Sequence, residues 1–441
     1  MFDFDPEKEF QFLGIFWLPN NPDNTFTGSL SYTPEDGISL ETTAELKPEN
    51  SFLLNEEKES YIFGHCNELG DVTLIYCAPN GYEKNTVFYR KYQIIYALTN
   101  IHYQANVSSF DKISFHFKEL NSFCSKNQDN LSVISFNDIF SCDLDDEVHF
   151  SIKHGIKNAF MLGDILCTSF NDIDVEMLKQ VREKAGNLTV SKPFFCISIS
   201  KKNTSLLDFL ALLFQIEKLF SVFLYQPVHT IYISLYSGKE KHRLIWKPYQ
   251  KSPDNNNLFY PFLPINIEDI KYNFPEIWRK WNETTQEIKY NSLITDKFFN
   301  NMRFGNITIG VILSAINEWQ KKNGNETKKQ LYENFLKESF CEDNPFNVKA
   351  KEILKSILST DDFEIIGRKL TKIRGVFLHE AGGRQSKEQD LVKDDAKMRN
   401  LSETLFLILT RRIMLHIGII FNESDERLLG RNLPAWETLS L

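Results

Sequence analysis

Apolar and polar positions change rhythm about three-fifths of the way along the chain. Up to residue 265 they come as short aromatic and β-branched runs: EFQFLGIFWL, TGSLSY, GISLETTAEL, ESYIFGHC and DVTLIYC. Breakers separate these runs, among them Pro19-Asn20-Asn21-Pro22, Asp36-Gly37, Leu69-Gly70 and Pro79-Asn80-Gly81. Runs of this length between turn residues predict strands. DKISFHFK, LSVISF, EVHFSIKH and KPFFCISIS continue the series. Thr204 to Leu224 interrupts it with an apolar helical pattern, and HTIYISLYSG then returns to strand. Strands at this spacing predict a sandwich-like antiparallel assembly with one helix packed on it.

After the connector SPDNNNLFYPFLPIN the period becomes helical. The predicted helices are EDIKYNFPEIWRKWNETTQEI, Ile294 to Lys321, Lys328 to Glu338, Val348 to Ile357, Phe363 to Glu380 and a terminal segment of roughly Ser386 to Ile420. Gly324 and Gly382-Gly383 mark breaks between them. The expected fold class is therefore α+β and multidomain. Residues 1–265 form a β-rich region with a sensor or regulatory role, and residues 266–441 form an all-α domain. No internal repeat or low-complexity tract is present.

Composition narrows the class. At 441 residues the chain is too long for one ordinary core. Hydrophobic content of 42% with 25% charged residues describes a folded soluble protein. No apolar run reaches the length of a membrane span, and MFDFDPEKEF lacks a secretory pattern, so a cytoplasmic location is expected. Seven scattered cysteines with no C-x-x-C argue for reduced thiols and against a structural zinc site. The net charge of −9 is uneven. Met1 to Ile265 holds 23 basic and 33 acidic residues, a balance of −10, while Asn266 to Leu441 holds 27 and 26, a balance of +1. Only the second part is electrostatically permissive for nucleic acid.

Its most basic stretch, Gly367 to Lys387, carries Arg368, Lys369, Lys372, Arg374, Arg384 and Lys387 against Glu380 alone. Within it, KIRGVFLHEAGG contains an R-x4-H pair, Arg374 and His379. An arginine and a histidine suffice for RNA cleavage, because the ribose 2′-hydroxyl is the nucleophile. The imidazole moves protons and the guanidinium stabilises charge on the phosphate. No cofactor or metal is required. Five residues on a straight helix turn the two side chains about 140° apart. Convergence needs the helix to unwind after Phe377, or two copies to meet across a two-fold axis. Lys369, Lys372 and Arg384 are the candidate RNA contacts. The bland alternative is a half-buried surface histidine with a nearby arginine. A second pair, Arg411 and His416, lies in TLFLILTRRIMLHIGIIF, where His416 neighbours Leu409, Ile413 and Ile420 at helical spacing. That environment predicts a core or interface histidine. His65, His102, His149 and His154 fall on separate strand-like segments without metal-ligand spacing. Asp143-Leu144-Asp145-Asp146 lacks the pattern of a calcium loop, and no phosphate-cradling G-x-x-x-x-G-K is present.

FLGIFWLP, TGSLSY, GISLE, YIFGHCNELGDVTLIYC and NIHY around His102, in that order, resemble a bacterial family that joins an ApeA-type N-terminal region to a C-terminal HEPN domain. The C-terminal likeness rests on the helical domain, on Glu318 in LSAINEW and on KIRGVFLHEAG followed by a long helix. The resemblance implies a HEPN helical bundle in which the R-x4–6-H residues, here Arg374 and His379, serve a metal-independent endoribonuclease assembled at a homodimer interface. It also implies a role in abortive-infection defence, with a phage-derived trigger and RNA, often tRNA, as the target. The residue after the arginine is commonly asparagine in such domains and is Gly375 here, which removes a polar group and loosens the helix. Two rival readings are a non-catalytic ligand- or RNA-binding defence protein whose helical domain only dimerises, and a carbohydrate- or peptide-binding sandwich on a helical oligomerisation domain.

Overall fold

In the computed structural model the described residues are 8–43, 61–79, 90–104, 108–117, 149–154, 158–162, 165–169, 195–224, 228, 230–246, 265, 267–270, 273–287, 306–320, 326–378, 393–431 and 433. The chain divides into two compact units, Met1–Phe214 with His229–Asn257, and Gln215–Val228 with Leu258–Leu441.

The first unit is antiparallel throughout. Strands β1 (Phe10–Leu18), β2 (Asn21–Thr33), β3 (Gly37–Thr42), β4 (Tyr61–Cys66), β5 (Gly70–Pro79) and β6 (Arg90–Thr99) pair in the order β6-β3-β2-β1-β4-β5. β5 then pairs back onto β6, from Val72 opposite Thr99 to Pro79 opposite Tyr92, and closes a six-stranded barrel. The sheet continues outward from β6 through β13 (Glu240–Trp246), β12 (Thr230–Ser237), β7 (Phe110–Phe117) and β11 (Phe195–Thr204). β8 (His149–His154), β9 (Asn158–Leu162) and β10 (Ile165–Ser169) complete it. The predicted sandwich is thus replaced by a barrel carrying an extended sheet. Alternating inward and outward residues look the same in both architectures, so the periodicity could not separate them.

Strict alternation along β1 turns Phe12 and Phe16 inward and leaves Leu13 and Ile15 exposed. Phe16 is fully buried in a cluster with Leu30, Tyr32, Leu40, Ile62 and Leu74. Its ring needs the space that Gly64 leaves on the neighbouring strand, for a Cβ there would lie 2.4 Å from the ring. The predicted helix is α1 (Leu206–Leu224), capped by Ser205, whose hydroxyl accepts the Asp208 N–H at 3.2 Å. Phe209, Leu213, Ile216 and Phe220 on it are fully buried.

Besides the part of α1 from Gln215 onward, the described helices of the second unit are α2 (Ile267–Ile270), α3 (Phe274–Glu287), α4 (Asn306–Gln320), α5 (Lys328–Ser339), α6 (Pro345–Leu358), α7 (Phe363–Leu378), α8 (Asp395–His416) and α9 (Glu423–Arg431). The first predicted segment splits into α2 and α3 because Pro275, lacking an N–H, can only sit in a first turn. α5 begins with a capping box in which Thr327 and Gln330 exchange side-chain and backbone hydrogen bonds. Asn344 and Asp394 cap α6 and α8 by accepting the Asn347 and Lys397 N–H groups. α4 packs against α5, α7 and α8, and α6 against α8 and α9. α9 was not predicted. Among the described residues no helix is long and apolar enough to cross a membrane.

Candidate functional site

Asp362 starts α7 by accepting the N–H groups of Glu364 at 2.8 Å and Ile365 at 3.3 Å. Ile366, Gly367, Leu370 and Ile373 form the buried stripe. Gly367 sets how closely α7 approaches α5, since a Cβ there would come 2.8 Å from the Lys329 carbonyl and 3.2 Å from the Glu333 nitrogen. Arg374 is two helical turns further on and returns to the same side of α7. It is half-buried, and its Nε is a buried donor with no hydrogen-bond acceptor among the described residues.

Tyr332 of α5 is fully buried, and its hydroxyl donates to the Leu313 carbonyl of α4 at 3.0 Å. Burial pushes the phenol well above its ordinary range, and the positive charge of Arg374 pulls the other way. α4, α5 and α7 pack on one another. Gly375 follows it with open space beside it: a Cβ at 375 would meet nothing within 4 Å among the described residues. Packing among the described residues does not explain that glycine.

The other sequence candidates are dispersed. The Lys369 ammonium donates to the Leu358 carbonyl, the last of α6, which favours a cation there. Lys372 is exposed on the outer side of α7. Glu318 is half-buried on α4. His379 and Arg384 lie outside the described residues, as do the Gly382-Gly383 break and the Asp143–Asp146 run.

For the second R-x4-H pair the expected burial is inverted. His416 is exposed, with its ring edge-on to Trp319 at 5.2 Å, and does not sit in the core. Arg411 is the interior member, bound to Glu426 of α9 and lying 5.5 and 5.8 Å from the ring centroids of Phe346 and Phe421. The apolar neighbours at 409, 413 and 420 misled, because the helix ends at His416 and Ile420 is itself 81% exposed.

One constellation in the barrel escaped the sequence reading. His65 Nδ1 lies 2.8 Å from Asp71 Oδ1, and His102 Nε2 lies 3.9 Å from the same oxygen. His102 is fixed by a strap. The Thr73 hydroxyl donates to the Ile101 carbonyl and accepts the Tyr103 N–H, both at 2.7 Å. That strap stacks the His102 ring on Phe63 at 5.0 Å and edge-on to Trp17 at 5.2 Å. The His65–Asp71 half was legible in principle, since a hairpin around NELG sets those two residues opposite each other. Among the described residues no group of three or more His, Cys, Asp or Glu is arranged to hold a metal ion.

No curated protein and no solved structure matches the chain. The profile of one family does, the ApeA N-terminal domain 1, and it covers residues 11–281. The match takes in the barrel, the extended sheet, α1, α2 and the first half of α3, well over half the chain. The family match covers more than half of the chain, and the chain therefore belongs to the ApeA N-terminal domain 1 family.

Proposed function

We propose that the protein is a metal-independent endoribonuclease of bacterial anti-phage defence, with its active centre on α7 and the segment that follows. Membership of the ApeA family supports the defence role. The observation that carries the chemistry is Arg374: a guanidinium on the inner side of a helix, with a buried Nε–H awaiting an acceptor among the described residues, beside the open flank of Gly375. An unpaired buried donor of this kind favours an anionic ligand. In the proposed reaction the 2′-hydroxyl attacks the adjacent phosphorus in line. His379 transfers the protons and Arg374 stabilises the charge of the phosphorane. A second copy of the helical unit supplies the facing pair across a two-fold axis, so the active form is a homodimer. RNA, with tRNA as a leading candidate, is the substrate, and a phage-derived molecule is the trigger.

The test is to incubate the purified protein with total RNA in EDTA and map the ends. Cleavage leaving 2′,3′-cyclic phosphate and 5′-hydroxyl termini, lost in both Arg374→Ala and His379→Ala with folding intact, is the expected result. A requirement for added magnesium would overturn the mechanism. The rival reading, a defence protein that binds but does not cut, draws on Gly375 and on the His65–Asp71–His102 group with its aromatic neighbours. Expression in bacteria separates the two. Growth arrest with fragmented RNA only for wild type supports the enzyme, and equal behaviour of wild type and His379→Ala supports the binder.

A further inference from the structure

Strands β11, β7, β12 and β13 of the extended sheet carry two different faces. On one, Ile113, Phe115, Ile197 and Ile233 are buried, as alternation requires of a core face. The other is polar. Ser198 of β11 stands opposite Ser114 of β7, Ser114 opposite Ser234 of β12, and Ser234 opposite Arg243 of β13. Side chains paired in this way share a face, so three hydroxyls and a guanidinium form one row across four strands. None of the four residues is more than 8% exposed, and the Ser114 and Ser198 hydroxyls are bonded to each other. The Arg243 backbone N–H donates to Thr99 Oγ1 at 3.1 Å, which ties the row to β6. On the same face Lys112 pairs with Tyr236 on one side of the row, and His116 with Tyr232 on the other.

The charges on this face have one sign. The Arg243 guanidinium lies 5.5 Å from the centroid of the Tyr232 ring, and the Lys112 ammonium 4.3 Å from that of Tyr236. Such contacts hold a cation in place without neutralising it. Lys241, opposite Tyr236, adds a third positive charge. Asp111 and Glu240, the acidic residues of these four strands, fall on the opposite face by the same alternation. Asp111 is engaged there by the Gly238 N–H at 2.9 Å. Gathering cations and hydroxyls in a buried place is costly unless an anion joins them.

We infer that this face is the binding site of a small phosphate-bearing molecule, whose phosphoryl oxygens accept from Arg243 and the serine hydroxyls. A carboxylate brings one negative charge to three cations, whereas a phosphate monoester brings about two, with three acceptor oxygens. Burial of the row admits a small ligand and not an RNA chain, so this ligand is not the substrate proposed for α7. The inference stands independently of the ribonuclease reading.

Isothermal titration of the full-length protein tests this, with AMP, GMP, CMP, UMP, their four nucleosides and inorganic phosphate as probes. The expected result is binding of a phosphate-bearing probe and none of the nucleosides. A nucleotide that binds more tightly than inorganic phosphate identifies the ligand as a nucleotide, and equal binding identifies it as free phosphate. Ser234→Ala removes one oxygen from the row and should weaken Kd about tenfold, and Arg243→Gln should weaken it about a hundredfold. Should Arg243→Gln fail to fold, Ser234→Ala decides alone. No binding of any probe at millimolar concentration would overturn the inference, as would equal binding of nucleosides and nucleotides. Binding that Ser234→Ala leaves unchanged would overturn it too, and its loss in Arg374→Ala would then assign the ligand to the helical unit.

Discussion

Arg411 and Glu426 have side chains only 4% and 6% exposed, and the guanidinium Nε donates to both carboxylate oxygens at 3.0 Å. Such a pair is weak evidence of net stabilisation, yet removing one member strands the other charge. Arg411→Ala should therefore cost about 3–5 kcal/mol in denaturant unfolding. His416→Ala, at an exposed helix end, should stay within about 0.5 kcal/mol. His242 gives a pH dependence. It is buried on β13, edge-on to Phe110 at 5.8 Å. Burial holds its pKa below the ordinary 6.5, a push only partly offset by the Thr99 backbone and the charge of Glu240. The native state thus stays neutral where the unfolded chain takes a proton. The associated stability is fully present above pH 6.5 and is lost as pH falls below it. At most about 1.4 kcal/mol should go between pH 6.5 and 5.5, and His242→Leu should flatten that part of the stability profile.

At the level of elements, α7 shows local propensity yielding to something else. A glycine inside a helix costs about 0.5–1 kcal/mol relative to alanine. Gly367 offsets that by close approach to α5, whereas a Cβ at Gly375 would meet nothing within 4 Å among the described residues. Gly375→Ala should accordingly stabilise the protein by about 0.5–1 kcal/mol, read as a higher denaturant midpoint. If the same variant loses RNA cleavage while folding better, the open flank serves the substrate. Unchanged cleavage would show that the flank has no such role. Some starts are local in sequence, although the sequence reading did not name them: Thr327 with Gln330, Asn344 before Pro345, and Asp394 each start a helix through their own side chains. Elements whose ends depend on distant partners are not local in this sense. α9 is short, charged on its outer side, and held by the buried bond from Glu426 to Arg411.

For the whole molecule, the barrel core is built around Phe16, whose ring lies over Gly64 of the neighbouring strand. Gly64→Ala would place a Cβ 2.4 Å from a ring with nowhere to go. A loss of about 1–3 kcal/mol is expected, partly recovered when Phe16→Leu is added. The uneven charge makes a second prediction. With a balance of −10 over residues 1–265 and +1 over residues 266–441, the proposed ribonuclease would meet RNA through its helical part. RNA affinity of the full chain should fall with rising salt, with a slope reduced in Lys372→Ala if that residue meets a phosphate. A slope unchanged in that variant would remove Lys372 from the interface.

Most of the strands and helices, the shift from period two to period 3.6 and the turn glycines follow from residues near one another in sequence, and local chemistry determined them, while β6, β9, β10, β13 and α9 were not predicted. The same chemistry placed Arg374 on a helix. It could not show that the Arg374 Nε is buried without an acceptor among the described residues, because that depends on how Gly367 seats α7 on α5. Nor could it choose a barrel over a sandwich, for closure is one pairing, β5 with β6, and alternation is blind to which strand lies next door. The gathering of His65 and His102 on Asp71, and the exchange of burial between Arg411 and His416, were decided in the same way. Burial of a charge depends on a partner arriving from elsewhere in the chain, and only tertiary structure brings that partner.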